Sequence, residues 1–326
     1  MRRLEILRET FPIRGVFRIS RGARTEAHVV AVRLTEGGAV GQGECVPYPR
    51  YGESIDGVVA AIEAARPAIE AGIDRAGLTA AMPHGAARNA VDAALWDLEA
   101  KRTGTPAWKL AGLTPPQPLV TAYTLSVDTP QAMGAAAAEN AWRPLLKLKM
   151  TGDGDLDRVA AIRAGAPAAR LIVDANEAWS IDQYRSYAPR LADLGVELIE
   201  QPFPADADGA LAGLDRPIPV CADESCHDRP TLPALAGKYD AINVKLDKTG
   251  GLTEALALIA AARGLGLEVM VGCMVGSSLS MAPGVLAGQT ARWVDLDAPL
   301  LLAQDRTPGL RYEGSTVHPP EPALWG

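Results

Sequence analysis

Five charged residues recur at near-even intervals through the second half of this 326-residue chain, each ending a short apolar run. They are Lys149 in LLKLKM, Asp174 in LIVDAN, Glu200 in LIEQP, Asp223 in VCADES and Lys245 in INVKL. The successive intervals are 25, 26, 23 and 22 residues. That is the length of one strand, one helix and two short loops, the repeat of a βα unit. Candidate strands lie at 120–126, 145–150, 171–176, 198–202, 219–224, 241–246, 268–273 and 293–298, with alanine-rich segments between them. That number of parallel strands closes a barrel, and catalytic groups in such barrels sit at the C-terminal strand ends. All five residues occupy such ends.

Residues 1–115 follow another pattern. HVVAVRLTEGGAVGQGECVPY reads as two strands joined at Glu36-Gly37-Gly38, followed by the helices IDGVVAAIEAARPAIEAG and GAARNAVDAALWDLEAK. Strands followed by a run of helices indicate an α+β domain. GLTPPQP is a rigid, proline-rich boundary, so the barrel is expected over 116–305. Residues 306–326 hold no further βα unit and are expected to return to the first domain.

At 48% hydrophobic and 22% charged, the chain can bury a large core. Its net charge of −7 and the lack of a dense basic run argue against nucleic acid as a partner. No apolar run approaches the ~18 residues that span a bilayer, so a soluble cytoplasmic protein with no membrane partner is expected. A homo-oligomer is compatible with this type of barrel. Cys45, Cys221, Cys226 and Cys273 are too few and scattered for a disulfide framework, and no second ligand pair completes a zinc site with Cys221, Cys226 and His227.

Asp174, Glu200 and Asp223 come from consecutive units, and three carboxylates on neighbouring strands suit Mg²⁺, one ion per site. Lys149 and Lys245 lie four strands apart in a barrel of eight, on opposite sides of the metal. Such a pair removes a proton from one face of a carbon and returns it to the other. A lysine serves as base only if its pKa falls below its usual ~10.4, and Lys147, on the same side as Lys149, is expected to supply the repelling charge. Chelation of a substrate carboxylate would stabilise an enediolate as the neighbouring proton leaves.

KLKM, VDANEAW, IEQP, CADES and NVKLDKTGG resemble the muconate-lactonising subgroup of the enolase superfamily, and GQGECVPYPRYGES and ARNAVDAALWDL extend the resemblance over nearly the whole chain. VDLDAP resembles the Asp-x-Asp signature of its dipeptide epimerases, in particular those acting on L-Ala-D/L-Glu. The resemblance implies an α/β fold, a modified TIM barrel of (β/α)7β form, with an α+β N-terminal capping domain completed by the tail. It implies that Asp295 and Asp297 bind the α-ammonium of a dipeptide substrate and that Arg24, in a flexible RGARTEA segment, pairs with a side-chain carboxylate. Thr124 and Cys273 would line the pocket, with Lys147 among the substrate-binding groups. The implied reaction converts L-Ala-D-Glu to L-Ala-L-Glu in the recycling of cell-wall peptide.

None of His28, His84, His227 and His318 ends a late barrel strand, which favours two-lysine chemistry over a histidine base. Two alternatives stay open. o-Succinylbenzoate synthase or N-acylamino acid racemase chemistry uses the same lysines and metal on substrates without a free ammonium. A non-catalytic metal-binding scaffold is the other.

Overall fold

Side chains alternate between the two faces of a strand, and that alternation decides how this chain is layered. The computed structural model describes residues 1–326. Strands β1 (Arg3–Ile19), β2 (Gly22–Glu36) and β3 (Ala39–Cys45) form an antiparallel capping sheet. Helices α1 (Ile55–Glu70), α2 (Arg75–Ala81) and α3 (Ala86–Thr103) follow. Helix α3 lies so close to β3 that a Cβ at Gly43 would collide with the Ala90 carbonyl oxygen.

Helical spacing puts Ala90, Val91, Ala94, Leu95 and Leu98 on one face of α3. They do pack under the capping sheet. Trp96 and Ala100, however, join the barrel core on the opposite side. A helix buried on both sides is the joint between two hydrophobic cores.

After the one-turn helix α4 (Ala107–Leu110), strand β4 (Leu119–Val120) leads into the barrel. The barrel runs β5 (Tyr123–Leu125), α5 (Pro130–Glu139), β6 (Leu145–Lys149), α6 (Asp155–Gly165), β7 (Arg170–Asp174), α7 (Ile181–Asp193) and β8 (Val196–Glu200). It continues with β9 (Val220–Ala222), β10 (Ala241–Lys245), α8 (Leu246–Thr249), α9 (Leu252–Gly264), β11 (Glu268–Gly272), α10 (Ser278–Ala287), β12 (Trp293–Val294) and α11 (Ala298–Leu301). Strands β5 to β12 pair in chain order as one parallel sheet. The sheet curls until the Ala122 N–H donates to the Val294 carbonyl at 2.8 Å, joining its two edges.

Two regular helices that a strict alternation predicts are replaced. The connections after β8 and β9 carry only short 3-10 turns, Asp208–Gly213 and Arg229–Ala234. Pro202, Pro204 and Pro217 bracket the first, and Pro230 and Pro233 lie within the second; proline removes the donors that a longer helix needs. The expected strand 120–126 is also split. Val120 belongs to β4, which pairs with the tail hairpin β13 (Tyr312–Glu313) and β14 (Thr316–Val317). The last residues reach α3: the Trp325 indole N–H donates to the Ala93 carbonyl at 2.9 Å, and Gly326 N–H to Asp97 at 2.8 Å.

Inside the barrel lies one apolar layer: Ala122, Leu145, Ile172, Leu198, Cys221, Ala241, Met270 and Trp293. Each comes from a different barrel strand or its first turn, and it forms the floor. Two residues further along each strand, the same inward face carries Thr124, Lys147, Asp174, Glu200, Asp223, Asn243, Gly272 and Asp295. A polar layer on an apolar floor is therefore the direct product of period-two patterning.

Candidate active site

The inward step from floor to mouth brings the acids together and surrounds them with lysines. Asp174 and Glu200 are fully buried and Asp223 is 1% exposed. Lys149 donates to Asp174 Oδ2 at 2.6 Å, and Lys245 to Asp223 Oδ2 at 2.7 Å. The two lysines are thus bonded to different acids, on strands that flank the one carrying Glu200. Both line a recess at the barrel mouth, together with Arg21, Arg24, Tyr48, Tyr51, Asn176, Glu224 and Cys273.

Lys147 supplies a repelling charge to Lys245, but carboxylates enclose it. Its side chain is 1% exposed, beneath the recess, with its ammonium 2.7 Å from Glu200, 2.9 Å from Asp295 and 3.2 Å from Asp174. Burial disfavours its charge, but the carboxylates of Asp295, Glu200 and Asp174 outweigh that and raise its pKa well above the usual lysine value. Lys245 is likewise raised: burial and the charge of Lys147 lower it, and Asp223, Glu200 and Glu224 together outweigh them. Carboxylates hold both ammoniums charged, and the repulsion between Lys147 and Lys245 opposes them only in part.

Thr124, Asp295 and Asp297 also lie below the recess wall, at 6%, 4% and 3% exposure. Asp297 accepts the Thr124 N–H at 2.6 Å. Burial, reinforced by the charge of Asp295, lifts its pKa to about 7. Asp295 gives one oxygen to Lys147, while its Oδ1 is buried with no hydrogen-bond partner. Cys273 is half-buried on the recess wall, and its thiol is pushed up by burial.

The segment carrying Arg24 is a β-hairpin tip rather than an irregular loop: Arg18 pairs with Ala23 and Ile19 with Gly22. Arg21 there reaches down to Glu224 at 2.8 Å and Glu177 at 3.3 Å. Arg50 grips Glu177 with two bonds of 2.7 and 2.8 Å. Arg24 instead lies 5.7 Å from the Tyr48 ring centroid and is the recess arginine without a carboxylate partner.

Several groups of the site escaped the sequence reading. Asn243 donates to Glu200 Oε1 at 2.8 Å; its position two before Lys245 was the available signal. Gln201 accepts the Asp223 N–H at 2.9 Å. Lys248, part of NVKLDKTGG, bonds Asp223 Oδ1 at 2.6 Å. The turn bearing Lys248 is docked on the cap: Arg88 donates to Thr249 O at 2.6 Å and Asn89 to Asp247 at 2.8 Å. A Cβ at Gly251, which has φ of 116°, would collide with Asp92. The histidines stay clear of the recess; His84 pairs with Asp228 at 2.9 Å.

No three acidic, histidine or cysteine side chains close into a ready-made metal cage, because lysine ammoniums stand between the acids. The donor set nevertheless fits a hard divalent cation. Glu200 Oε2 is buried and faces Lys147 without an aligned hydrogen bond. Asp174, Glu200, Asp223, Glu224, Asp295 and Asp297 outnumber the cations Lys147, Lys149, Lys245, Lys248 and Arg21. The surplus shows: Glu224, buried and beside Asp223, is raised to about 7, and Glu200 is raised by burial and by Asp174.

Comparison with known proteins places this architecture. Residues 1–112 match the mandelate racemase / muconate lactonizing enzyme N-terminal domain, and residues 132–323 the enolase C-terminal domain-like family. The chain is 45% identical to the L-Ala-D/L-Glu epimerase of Escherichia coli K12, over 98% of this chain and 100% of that one. It is 42% identical to an N-acetyl-D-glutamate racemase of a Pseudoalteromonas species, over 91% of this chain and 95% of the other. Among solved structures it superposes on an enolase family member from Agrobacterium tumefaciens with homology to dipeptide epimerases, carrying bound sodium and L-Ala-L-Glu. That match has a TM-score of 0.98 at 55% identity and covers all of both chains. A dipeptide epimerase from Enterococcus faecalis V583, complexed with Mg and L-Leu-L-Tyr, matches at 28% identity and TM-score 0.89, over 98% and 96% of the two chains.

Proposed function

The chain belongs to the mandelate racemase and muconate lactonizing enzyme family of the enolase superfamily, and from that premise we propose that it inverts Cα of the C-terminal residue of a dipeptide. It is an isomerase of the epimerase and racemase kind. The substrate pair is L-Ala-D-Glu and L-Ala-L-Glu. One observation carries this reading: Lys149 and Lys245 face a single recess from strands four apart, each bonded to a different acid.

Lys149 and Lys245 exchange roles with the direction of reaction. One accepts the Cα proton on its face as a free amine, while the other delivers a proton to the opposite face as an ammonium. Asp174, Glu200 and Asp223 hold a divalent cation such as Mg²⁺. When bound, that cation supplies positive charge beside the substrate carboxylate, which lowers the cost of removing the neighbouring proton. Asp295 and Asp297 receive the dipeptide ammonium, and the unpartnered Asp295 Oδ1 is the acceptor available to it. Arg24, free of any carboxylate, takes the glutamate side chain. The hairpin tip and the Tyr48–Tyr51 segment roof the recess and exclude water.

The test is incubation of the Mg²⁺-loaded protein with each dipeptide in D₂O. The α-hydrogen of the C-terminal residue should exchange as the optical rotation drifts to the equilibrium mixture. No exchange with any dipeptide offered would defeat the reading.

A second reading rests on a specific contact. Lys147 already occupies one oxygen of Asp295 at 2.9 Å, and a 42%-identical relative is an N-acetyl-D-glutamate racemase. An N-acyl amino acid carries no ammonium. Asp295→Asn should therefore depress turnover of L-Ala-D-Glu far more than that of N-acetyl-D-glutamate; equal losses would favour the N-acyl substrate.

A further inference from the structure

Lys248 is a fourth buried lysine with no part in the reaction above. Its side chain is fully buried and absent from the recess wall, so it cannot meet a substrate carbon. Its three donors are all used: Asp223 Oδ1 at 2.6 Å, the Asp223 carbonyl at 2.5 Å and the Asn243 carbonyl at 2.9 Å. A buried ammonium with every donor satisfied and an ion partner is stable where it lies.

The grip is two-pointed. One ammonium bonds both the main-chain carbonyl and a side-chain oxygen of the same aspartate, which fixes the torsion between them. Gln201 takes the N–H of that residue at 2.9 Å. The one polar atom of Asp223 left to the recess side is Oδ2, and it faces Lys245. The spacing explains why one turn serves both atoms. Lys245 ends β10, and Lys248 follows three residues later within α8, so both ammoniums return to the end of β9.

We propose that Lys248 is a positioning residue that commits Asp223 Oδ1, so that Asp223 meets a divalent cation through Oδ2 alone. This rests on the reading of Asp223 as a cation ligand. The oxygen bonded to Lys245 is then the one a cation contests, whereas the Lys248 contact persists in both states. Groups that orient a metal ligand in this way change metal affinity about 10–100-fold when removed.

The probe is Mn²⁺ added to metal-free protein, with free ion followed by electron paramagnetic resonance and folding by near-ultraviolet circular dichroism. Lys248→Met should keep the fold signal and weaken Mn²⁺ binding about tenfold or more. Binding as tight as that of the parent, or tighter because a positive charge has gone, would overturn the proposal. A crystal structure of the Mn²⁺-loaded parent decides the matter even if the variant does not fold. It should show Asp223 Oδ2 on the ion and Oδ1 on Lys248. Both oxygens on the ion, with Lys248 detached, would overturn the proposal and leave the ligand assignment standing. Mn²⁺ bound away from Asp223 would remove the ligand assignment itself.

Discussion

Replacing Lys147 by Met keeps the volume roughly constant and removes the one charge that ties three acids together. Its ammonium lies within 3.2 Å of Asp174, Glu200 and Asp295, and the side chain is 1% exposed. In the variant Asp174 keeps Lys149, but Glu200 keeps only the amide of Asn243, and Asp295 loses its cation. Removing one partner from a buried ion pair costs about 3–5 kcal/mol, because the other charge is left uncompensated. The metal-free variant should therefore unfold at markedly lower urea than the parent. Divalent cation reverses the effect through linkage: a hundredfold excess over Kd stabilises the folded state by about 2.7 kcal/mol. The gain should be larger in the variant, where the ion no longer competes with an ammonium for Asp174 and Glu200. The assay is urea unfolding of both proteins in EDTA and across a Mg²⁺ series. A metal-free variant as stable as the parent, or equal stabilisation of both proteins by Mg²⁺, would refute this electrostatic role of Lys147.

Three further outcomes follow from other parts of the molecule. Arg24→Met should raise KM for L-Ala-D-Glu about 10–100-fold, the loss of a charge-assisted bond of about 1.5–3 kcal/mol, and leave dipeptides with neutral side chains nearly unaffected. Equal effects on both substrate classes would remove Arg24 from side-chain recognition. Asp247 is buried at the joint between barrel and cap, and burial raises its carboxyl to about 7 while Val46 N–H and Asn89 partly oppose that. A folded pKa above the unfolded one gives stability that is present below about pH 4 and lost as pH rises to about 7, at up to about 1.4 kcal/mol per pH unit. Asp247→Asn should flatten that loss, and unfolding curves with the same pH slope in both proteins would contradict it. Trp325→Ala empties a fully buried site and breaks the bond to Ala93, so unfolding free energy should drop by about 3–5 kcal/mol; a change below about 1 kcal/mol would mean the tail is dispensable.

The barrel was legible because its strands end in charges that apolar runs cannot otherwise explain. Lys149, Asp174, Glu200, Asp223 and Lys245 mark the inward face, and stepping back along each strand with period two recovers most of the floor. Strand β1 was not legible. Of its seventeen residues only Leu4 and Ile13 are buried, and its apolar pairs Leu4/Ile6, Phe11/Ile13 and Phe17/Ile19 are interrupted, so no continuous alternation marks it. Its pairing to β2 comes from backbone bonds, which leave no trace in residue type. The role of Lys147 was hidden for a different reason: its partner Asp295 is 148 positions away, and sequence spacing carries no distance. Asn243 and Lys248 were within reach, since both fall at face-sharing intervals from Lys245. The short 3-10 turns after β8 and β9 were announced by their prolines.

The proposed mechanism places one amine on each face of the substrate carbon. Proton NMR of Lys149→Ala and Lys245→Ala with L-Ala-D-Glu and L-Ala-L-Glu in D₂O tests it directly. Each variant should lose epimerisation yet still exchange the α-hydrogen of one epimer, and the two variants should retain opposite epimers. Exchange of the same epimer by both, or epimerisation surviving in either, would contradict the account.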